Sequence, residues 1–160
     1  MLKIIFLDID GVLNDHGRMM NLYCGIQKDK VEHLNKIIDA TDCKIVISSA
    51  WRYMILGGEM TTKGFEYMLL THGLKCHNRI IACTLSDEDI PTRGLQISYR
   101  IEKLKSYIKE EFKYVVIDDL NEENGIKISE AGHPLVQTKG DVGLTEEHVN
   151  LVISLLNERD

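Results

Sequence analysis

The sequence predicts an α/β fold, in which a central, mostly parallel sheet of about five strands is covered by helices. Short apolar runs alternate along the chain with segments in which apolar residues recur at helical spacing. Residues 3–7 and 114–117 are almost continuously apolar, which is typical of strands buried on both faces. Since parallel strands need crossover connections and helices supply them, the alternation favours a parallel sheet.

Five apolar runs are candidate strands. In chain order they are Leu2–Leu7, Lys44–Ile47, Arg79–Cys83, Tyr114–Ile117 and Leu135–Gln137. Four of the five end near a polar or small residue. The carboxyl edge of a parallel sheet is where ligands bind, so these strand ends are the first place to look for a site.

Helical spacing marks the segments between the strands. The apolar stripes are Val31, Leu34 and Ile37; Ile97, Ile101, Leu104 and Ile108; and Val149, Val152, Ile153 and Leu156. A further helix is predicted around Phe65 to Leu70. Thr145 is a favourable N-cap for the last helix, and Glu146 and Glu147 suit the positive end of its dipole.

The interval from Tyr53 to Gly94 allows two interpretations, a loop-rich crossover or a very small lid. We favour the crossover, because about forty residues leave little for a lid once a helix, a strand and loops are assigned. The chain of 160 residues has the usual size of one domain. We therefore predict a single domain over residues 1–160 and a Rossmann-like three-layer sandwich with a minimal cap or none.

The overall composition is that of a globular protein and argues against several classes of partner. The formal net charge is −6, so the chain has no global basic field for binding nucleic acid, although a local basic patch remains compatible. The apolar run at residues 1–7 is too short for a signal peptide or a membrane span. We expect a cytoplasmic protein with no membrane partner and no evident obligate protein partner.

The cysteines predict neither disulfides nor a standard zinc site. Cys24, Cys43, Cys76 and Cys83 show no close paired spacing, and an intracellular chain keeps its thiols reduced. Cysteines and histidines do gather between His72 and Cys83, but their spacing matches none of the usual zinc patterns. We therefore interpret these side chains as structural.

Acidic residues come after two of the predicted strands. Asp8 and Asp10 come after the first strand and would point the same way, and Gly11 then turns the chain. Asp118 and Asp119 come after the run Tyr114–Ile117. If the two strands are neighbours, several carboxylates share a small volume, and their repulsion needs a divalent cation. Hard oxygen ligands with room for water and phosphate suit Mg²⁺.

Hydroxyls take the place of acids at a third strand end. Ser48 and Ser49 come after the run Lys44–Ile47 and precede Trp51 and Arg52. A hydroxyl and free backbone amides can hold a phosphate that carboxylates alone would repel. We choose Ser48 for this role because it comes first after the strand. Ser49 and Arg52 are then candidate substrate-binding residues.

The order of these residues resembles the four motifs of the haloacid dehalogenase (HAD) superfamily. The residues that carry the resemblance are the run from Asp8 to Asn14, then Ser48, then a basic residue, then Asp118 and Asp119. Ser48 to Arg52, Val136 to Thr138, and Gly143 with Leu144 also resemble the compact HAD domains of "Swiss Army knife" RNA-repair proteins. The resemblance spans most of the chain.

The resemblance implies a role for each of these residues. Asp8 would be the nucleophile that forms an aspartyl-phosphate, and it would also bind magnesium. Asp10 would act as general acid and then as base, while its backbone carbonyl contacts the metal. Ser48 would bind the transferring phosphoryl group. Asp118 would complete the metal shell, and Asp119 would join it through water or orient its neighbours.

The basic residue is the least determined of the set. Arg93, Arg100, Lys103 and Lys105 all precede the last acidic pair. We choose Arg100 as the catalytic cation and Lys103 as the next candidate and a substrate-binding residue, because the predicted helix begins near Ser98. From there either charge would offset the carboxylates.

The predicted function is magnesium-dependent hydrolysis of a phosphomonoester. The resemblance points to nucleic-acid ends or nucleotides as the phosphorylated partner, whereas the acidic net charge argues for a small metabolite. Transfer of the phosphoryl group to another acceptor is one alternative. A catalytically silent HAD-fold interaction module is another, and it is disfavoured because the motifs look intact.

Overall fold

The five predicted strands form one sheet in the computed structural model, which describes residues 1–15, 25–85, 89–119 and 128–158. The strands are β1 (Leu2–Leu7), β2 (Lys44–Ile47), β3 (Ile80–Cys83), β4 (Phe112–Asp118) and β5 (Leu135–Gln137). Their order across the sheet is β3-β2-β1-β4-β5, and every neighbouring pair is parallel. The predicted α/β fold is confirmed.

Helices supply the crossovers. The α-helices are α1 (Lys28–Thr41), α2 (Tyr53–Leu56), α3 (Thr62–Thr71), α4 (Arg93–Tyr107) and α5 (Glu146–Asn157), and a 3-10 helix covers Ala50–Arg52. Thr145 caps α5 as predicted, in a reciprocal arrangement with the His148 side chain. Helix α4 begins at Arg93, with Thr92 as its N-cap, rather than near Ser98. The polar first turn carries little hydrophobic periodicity, so the apolar stripe alone placed the start too late.

The core lies on both faces of the sheet. In β1, Ile5 and Leu7 belong to the larger apolar cluster, which includes residues of α1, α3 and α5. Ile4 and Phe6 belong to the second cluster, with Ile97 and other residues of α4. All four β1 side chains are fully buried. Strand β1 is therefore the central strand, with helices above and below it, as a three-layer sandwich requires.

Backbone contacts fix the loop after β1. The Thr138 hydroxyl donates to the Gly11 carbonyl at 2.7 Å, and the Leu144 amide donates to the Val12 carbonyl at 2.8 Å. At Gly143, where φ is +74°, a Cβ atom would lie 2.9 Å from two carbonyl oxygens of this loop. Only glycine allows that approach. The segment from Thr138 to Leu144 thus holds in place the loop after β1, which carries Asp10.

The described part of the interval 53–94 is a crossover between β2 and β3, as we predicted. Helices α2 and α3 lead into β3, which is one of the two edge strands of the sheet. The buried carboxylate of Glu66 on α3 accepts hydrogen bonds from the backbone amides of Asn78, Arg79 and Ile80 at 2.8, 2.5 and 3.0 Å. This one side chain fixes the entry to β3.

Two further features concern the thiols and the membrane. Cys43, Cys76 and Cys83 are free thiols, and Cys24 lies outside the described residues. No helix within the described ranges combines the length and the apolar character that a membrane span needs.

Candidate active site

Three carboxylates meet at the carboxyl edge of the sheet. Asp8 lies just after β1, Asp118 ends β4 and Asp119 comes next, and one oxygen of each lies within 4.8 Å of the others. The Asp8 side chain is 7% exposed and that of Asp118 is fully buried. The Asp8 amide donates to the Ile117 carbonyl at 3.0 Å, so the two strand ends are in register. Three of the four predicted metal ligands are therefore adjacent.

Arg93 is the cation that contacts this cluster. Its Nη1 atom lies 2.6 Å from Oδ2 of Asp118 and 3.4 Å from Oδ1 of Asp8. The side chain is 16% exposed and extends from the first residue of α4. A guanidinium in contact with two buried carboxylates offsets charge that would otherwise oppose an approaching phosphate.

Burial and charge act against each other on these groups. Burial raises the pKa of Asp8, and the neighbouring Asp119 adds to the increase, whereas Arg93 and a hydrogen bond from Ser49 oppose it. Burial lowers the pKa of Arg93, but the carboxylates of Asp118 and Asp8 outweigh it, so this pKa is raised. Arg93 therefore stays charged at the site.

The Asp10 carboxylate accepts hydrogen bonds from two side chains. Its Oδ2 atom accepts a hydrogen bond from the Trp51 indole Nε1 at 2.8 Å, and its Oδ1 atom accepts one from Asn14 Nδ2 at 2.9 Å. Asn14 in turn accepts from the Gly11 amide at 2.9 Å. The role proposed for Asp10 at the metal concerned its backbone carbonyl, and this geometry leaves its carboxyl group for proton transfer.

The two serines after β2 have different surroundings. The Ser49 hydroxyl accepts a hydrogen bond from the Trp51 amide at 3.3 Å, and Ser49 also acts to lower the pKa of Asp8. The Ser48 side chain is fully buried, and its hydroxyl has no hydrogen-bond partner among the described residues. A buried polar atom without a partner is costly, and a ligand at the strand end would satisfy it.

Arg52 is buried beside the serines. Its Nη1 atom donates to the Ser49 carbonyl at 2.8 Å, and its Nη2 atom donates to Gln96 Oε1 at 3.0 Å. The guanidinium also lies 4.7 Å from the centre of the Tyr53 ring. Burial lowers its pKa. Within the described part of the chain, its hydrogen bonds go only to neutral acceptors, so its charge has no carboxylate partner there.

The ion pairs of Arg93 favour this residue over Arg100, the residue chosen from the sequence, as the cation of the site. Arg100 lies seven residues further along α4, about 10 Å along the helix axis from Arg93. Lys103 extends over the ring of Tyr99, with Nζ 5.2 Å from its centre. Neither residue contacts the carboxylates. The choice of Arg100 followed from the predicted helix start, which placed Arg93 before the helix instead of at its first position.

The sequence also did not predict the hydrogen-bond partners of Asp10, or the contacts of His133 that hold the first turn of α4 in place. The imidazole Nε2 of His133 lies 3.0 Å from the Gly94 carbonyl and 2.9 Å from the Ser98 hydroxyl, and Nδ1 lies 3.0 Å from the Tyr114 hydroxyl. No local pattern links residues so distant in sequence. The sequence did carry one signal for the position of Arg93. Thr92 is a favourable N-cap residue, which indicates a helix that begins at Arg93.

The carboxylate cluster fits a magnesium ion. All three donors are hard oxygen ligands, which Mg²⁺ prefers, and Mg²⁺ commonly fills its remaining positions with water and phosphate oxygens. Two buried carboxylates with a third beside them bring together negative charge of the kind that a divalent cation offsets. The donor set therefore matches the cofactor expected from the sequence.

Comparison with known proteins assigns the sequence to a family. The sequence profile described as "HAD domain in Swiss Army Knife RNA repair proteins" matches residues 4–149, which include every acidic and hydroxyl residue of the site. Searches of curated proteins and of solved structures found no match to the chain. A HAD domain favours a phosphatase-type function. The chain belongs to the family of HAD domains found in Swiss Army Knife RNA repair proteins.

Proposed function

We propose that the protein is a magnesium-dependent phosphomonoester hydrolase that acts through an aspartyl-phosphate on Asp8. The observation that carries this proposal is the meeting of Asp8, Asp118 and Asp119 within 4.8 Å, with Arg93 in contact with two of them. A nucleophilic carboxylate, further acids and a cation at one strand edge are the parts that phosphoryl transfer needs.

The reaction divides into two steps. The Asp8 carboxylate attacks phosphorus, the bond from phosphorus to the leaving oxygen breaks, and Asp10 gives its proton to that oxygen. In the second step, water attacks the phosphorus of the aspartyl-phosphate and gives a proton to Asp10. The bond between phosphorus and the Asp8 oxygen breaks, so that phosphate is released and Asp8 is restored. Arg93 offsets charge on the transferring group, and Ser48 binds one of its oxygens.

Asp8 and Asp118 would hold the magnesium ion, with Asp119 and the backbone carbonyl of Asp10 as further ligands. Bound Mg²⁺ supplies positive charge to the carboxylates and to the phosphoryl group. Ser49 and Arg52 would bind the substrate. Arg52 suits an anion because its buried charge meets only neutral acceptors among the described residues. Lys103 would contact only the outer part of a large substrate.

For the substrate we propose a phosphorylated nucleic-acid end. Family membership supports this class, since the matched domains occur in RNA repair proteins. The net charge of −6 works against binding a polyanion and favours the second candidate, a nucleotide or another small phosphorylated metabolite. The two candidate substrates differ in how much of the molecule, beyond its phosphate group, contributes to binding.

The chemistry is tested by Asp8→Asn with an aryl phosphate and magnesium. We expect turnover to fall by at least about 10³-fold, because an amide cannot form the acyl phosphate. Asp39→Asn, which changes an exposed aspartate of α1, is the matched control and should retain turnover. Retention of full turnover by Asp8→Asn would rule out the mechanism.

A panel of phosphate esters tests the substrate. It contains mononucleotides, sugar phosphates, phosphopeptides, and oligonucleotides with a 3′- or 5′-phosphate, each with and without magnesium. We expect the highest kcat/KM for an oligonucleotide end. If small esters react equally well, the metabolite candidate replaces it. Product analysis with added alcohols detects transfer to another acceptor, and binding of magnesium without any turnover would support a silent module.

A further inference from the structure

The single tryptophan of the chain contacts the general acid rather than serving only as packing. Trp51 Nε1 donates to Oδ2 of Asp10 at 2.8 Å, across 41 residues of sequence. An indole N–H is a donor only, and it usually finds an acceptor when it is partly buried. Here the acceptor is the carboxylate to which proton transfer is assigned.

Both oxygens of that carboxylate are held. Asn14 Nδ2 donates to Oδ1 at 2.9 Å, from the same loop as Asp10, whereas Trp51 reaches Oδ2 from the segment after β2. Two donors on the two oxygens fix the plane of the carboxyl group. Each oxygen keeps a second lone-pair direction, so one can still carry the proton.

The position of Trp51 is itself fixed by its surroundings. Its amide donates to the Ser49 hydroxyl at 3.3 Å. Its ring meets the fully buried Phe65 edge to face, with centroids 6.4 Å apart. The indole therefore contacts the core on one side and the Asp10 carboxylate on the other.

We infer that Trp51 is a positioning residue, which orients the Asp10 carboxyl group for proton transfer to the leaving oxygen. The inference rests on the proposed phosphatase function. A general acid must lie in line with the atom that it protonates, and small displacements of a reacting group are costly. In the first step this orientation affects only the proton that the leaving oxygen takes, so its effect on kcat/KM depends on how much the leaving group needs that proton.

Leaving-group dependence tests this role. In Trp51→Phe, we expect kcat/KM to fall about 10–100-fold for the best alkyl phosphate of the panel, whose alkoxide needs a proton. For p-nitrophenyl phosphate, whose leaving group needs none, we expect a change within about threefold. In an Asp10→Ala background, Trp51→Phe should cause no further loss, because both changes act on one proton transfer.

Phe65→Leu is the matched control for packing. It disturbs the ring that Trp51 contacts but leaves the indole N–H, so it should keep the ratio of the two activities at the wild-type value. An equal loss of Trp51→Phe on both substrates, or no loss on either, would overturn the inference. Thermal unfolding by circular dichroism shows whether each variant is folded.

A spectroscopic measurement tests the contact independently of activity. The one indole N–H gives a single resonance in a ¹⁵N-labelled sample. Asp10→Ala should move it to higher field and speed its exchange with solvent, and an unchanged resonance would contradict the hydrogen bond. Absence of turnover in the wild type, or turnover in Asp8→Asn, counts against the proposed function instead, so the two failures can be told apart.

Discussion

Arg93 Nη1 lies 2.6 Å from Oδ2 of Asp118 and 3.4 Å from Oδ1 of Asp8, so one guanidinium joins the acids at the carboxyl ends of β1 and β4. The first residue of α4 thereby reaches the ends of the neighbouring strands β1 and β4. In the proposed mechanism, a charge at this point is available to the phosphoryl group throughout transfer.

Arg93→Ala should lower kcat/KM by about 10²–10³-fold, the usual cost of removing one donor at developing charge. Arg93→Lys should recover part of the loss, because an ammonium keeps the charge but contacts the carboxylates through a single point. Arg100→Ala and Lys103→Ala are the controls and should stay within about threefold of the wild type. Steady-state kinetics with an aryl phosphate measures all four, and a larger loss in Arg100→Ala than in Arg93→Ala would contradict the assignment.

Ser48→Ala separates stability from activity. The Ser48 hydroxyl is buried and has no partner among the described residues, so its removal should change the free energy of unfolding by less than about 0.5 kcal/mol or increase it. Activity should fall about tenfold or more, because in the proposed mechanism the hydroxyl binds the phosphoryl group. Thr84→Val removes a comparable hydroxyl at the end of β3 and should keep activity. Equal activity in both variants would exclude a phosphate role for Ser48.

Glu66→Gln should destabilise the protein. The carboxylate accepts three backbone hydrogen bonds, and an amide cannot accept all three, so a backbone N–H loses its partner. We expect the free energy of unfolding to fall by about 1–3 kcal/mol, measured by urea denaturation. Glu59→Gln, at an exposed position, is the control. Identical urea midpoints for the two variants would show that the contacts at the start of β3 contribute little.

His133 should make stability depend on pH. Burial lowers its pKa from 6.5, and the Gly94 carbonyl opposes this only in part. The unfolded chain then takes up a proton at higher pH than the folded protein, so this stability is present above about pH 6.5 and is lost as pH falls below it. The slope is at most about 1.4 kcal/mol per pH unit for one group.

In His133→Gln, the decrease in Tm between about pH 7.5 and pH 5.5 should be smaller than in the wild type. His148, whose pKa burial also lowers, remains in both proteins and accounts for part of the residual slope. Parallel Tm curves for the wild type and the variant would mean that His133 titrates alike in the folded and unfolded chains.

The sequence was sufficient to predict the strands and the acids at their ends. An apolar run such as Leu2–Leu7 has the local pattern of a buried strand, and the polar residue after it marks the carboxyl edge of the sheet. Asp8 and Asp118 could therefore be placed together. Contacts between distant segments carry no such pattern. The hydrogen bond from Trp51 to Asp10 depends on how two loops meet above the sheet, and only the structure shows it.

The choice of the basic residue shows a different limit of prediction from sequence. Periodicity predicts the buried stripe of a helix but not its polar first turn, so α4 was expected to begin near Ser98 and Arg100 was chosen. The Thr92 cap moves the start to Arg93, and that shift of about one and a half turns decides which cation reaches the acids.

The most direct test of the central claim is to trap the phosphorylated enzyme. The protein is mixed with an aryl phosphate and magnesium, quenched in acid during turnover, and digested for mass spectrometry. We expect one phosphoryl group on the peptide that contains Asp8, released by hydroxylamine as an acyl phosphate is, and none in Asp8→Asn. Turnover without any phosphorylated peptide, or a phosphoryl group on a different residue, would contradict the account.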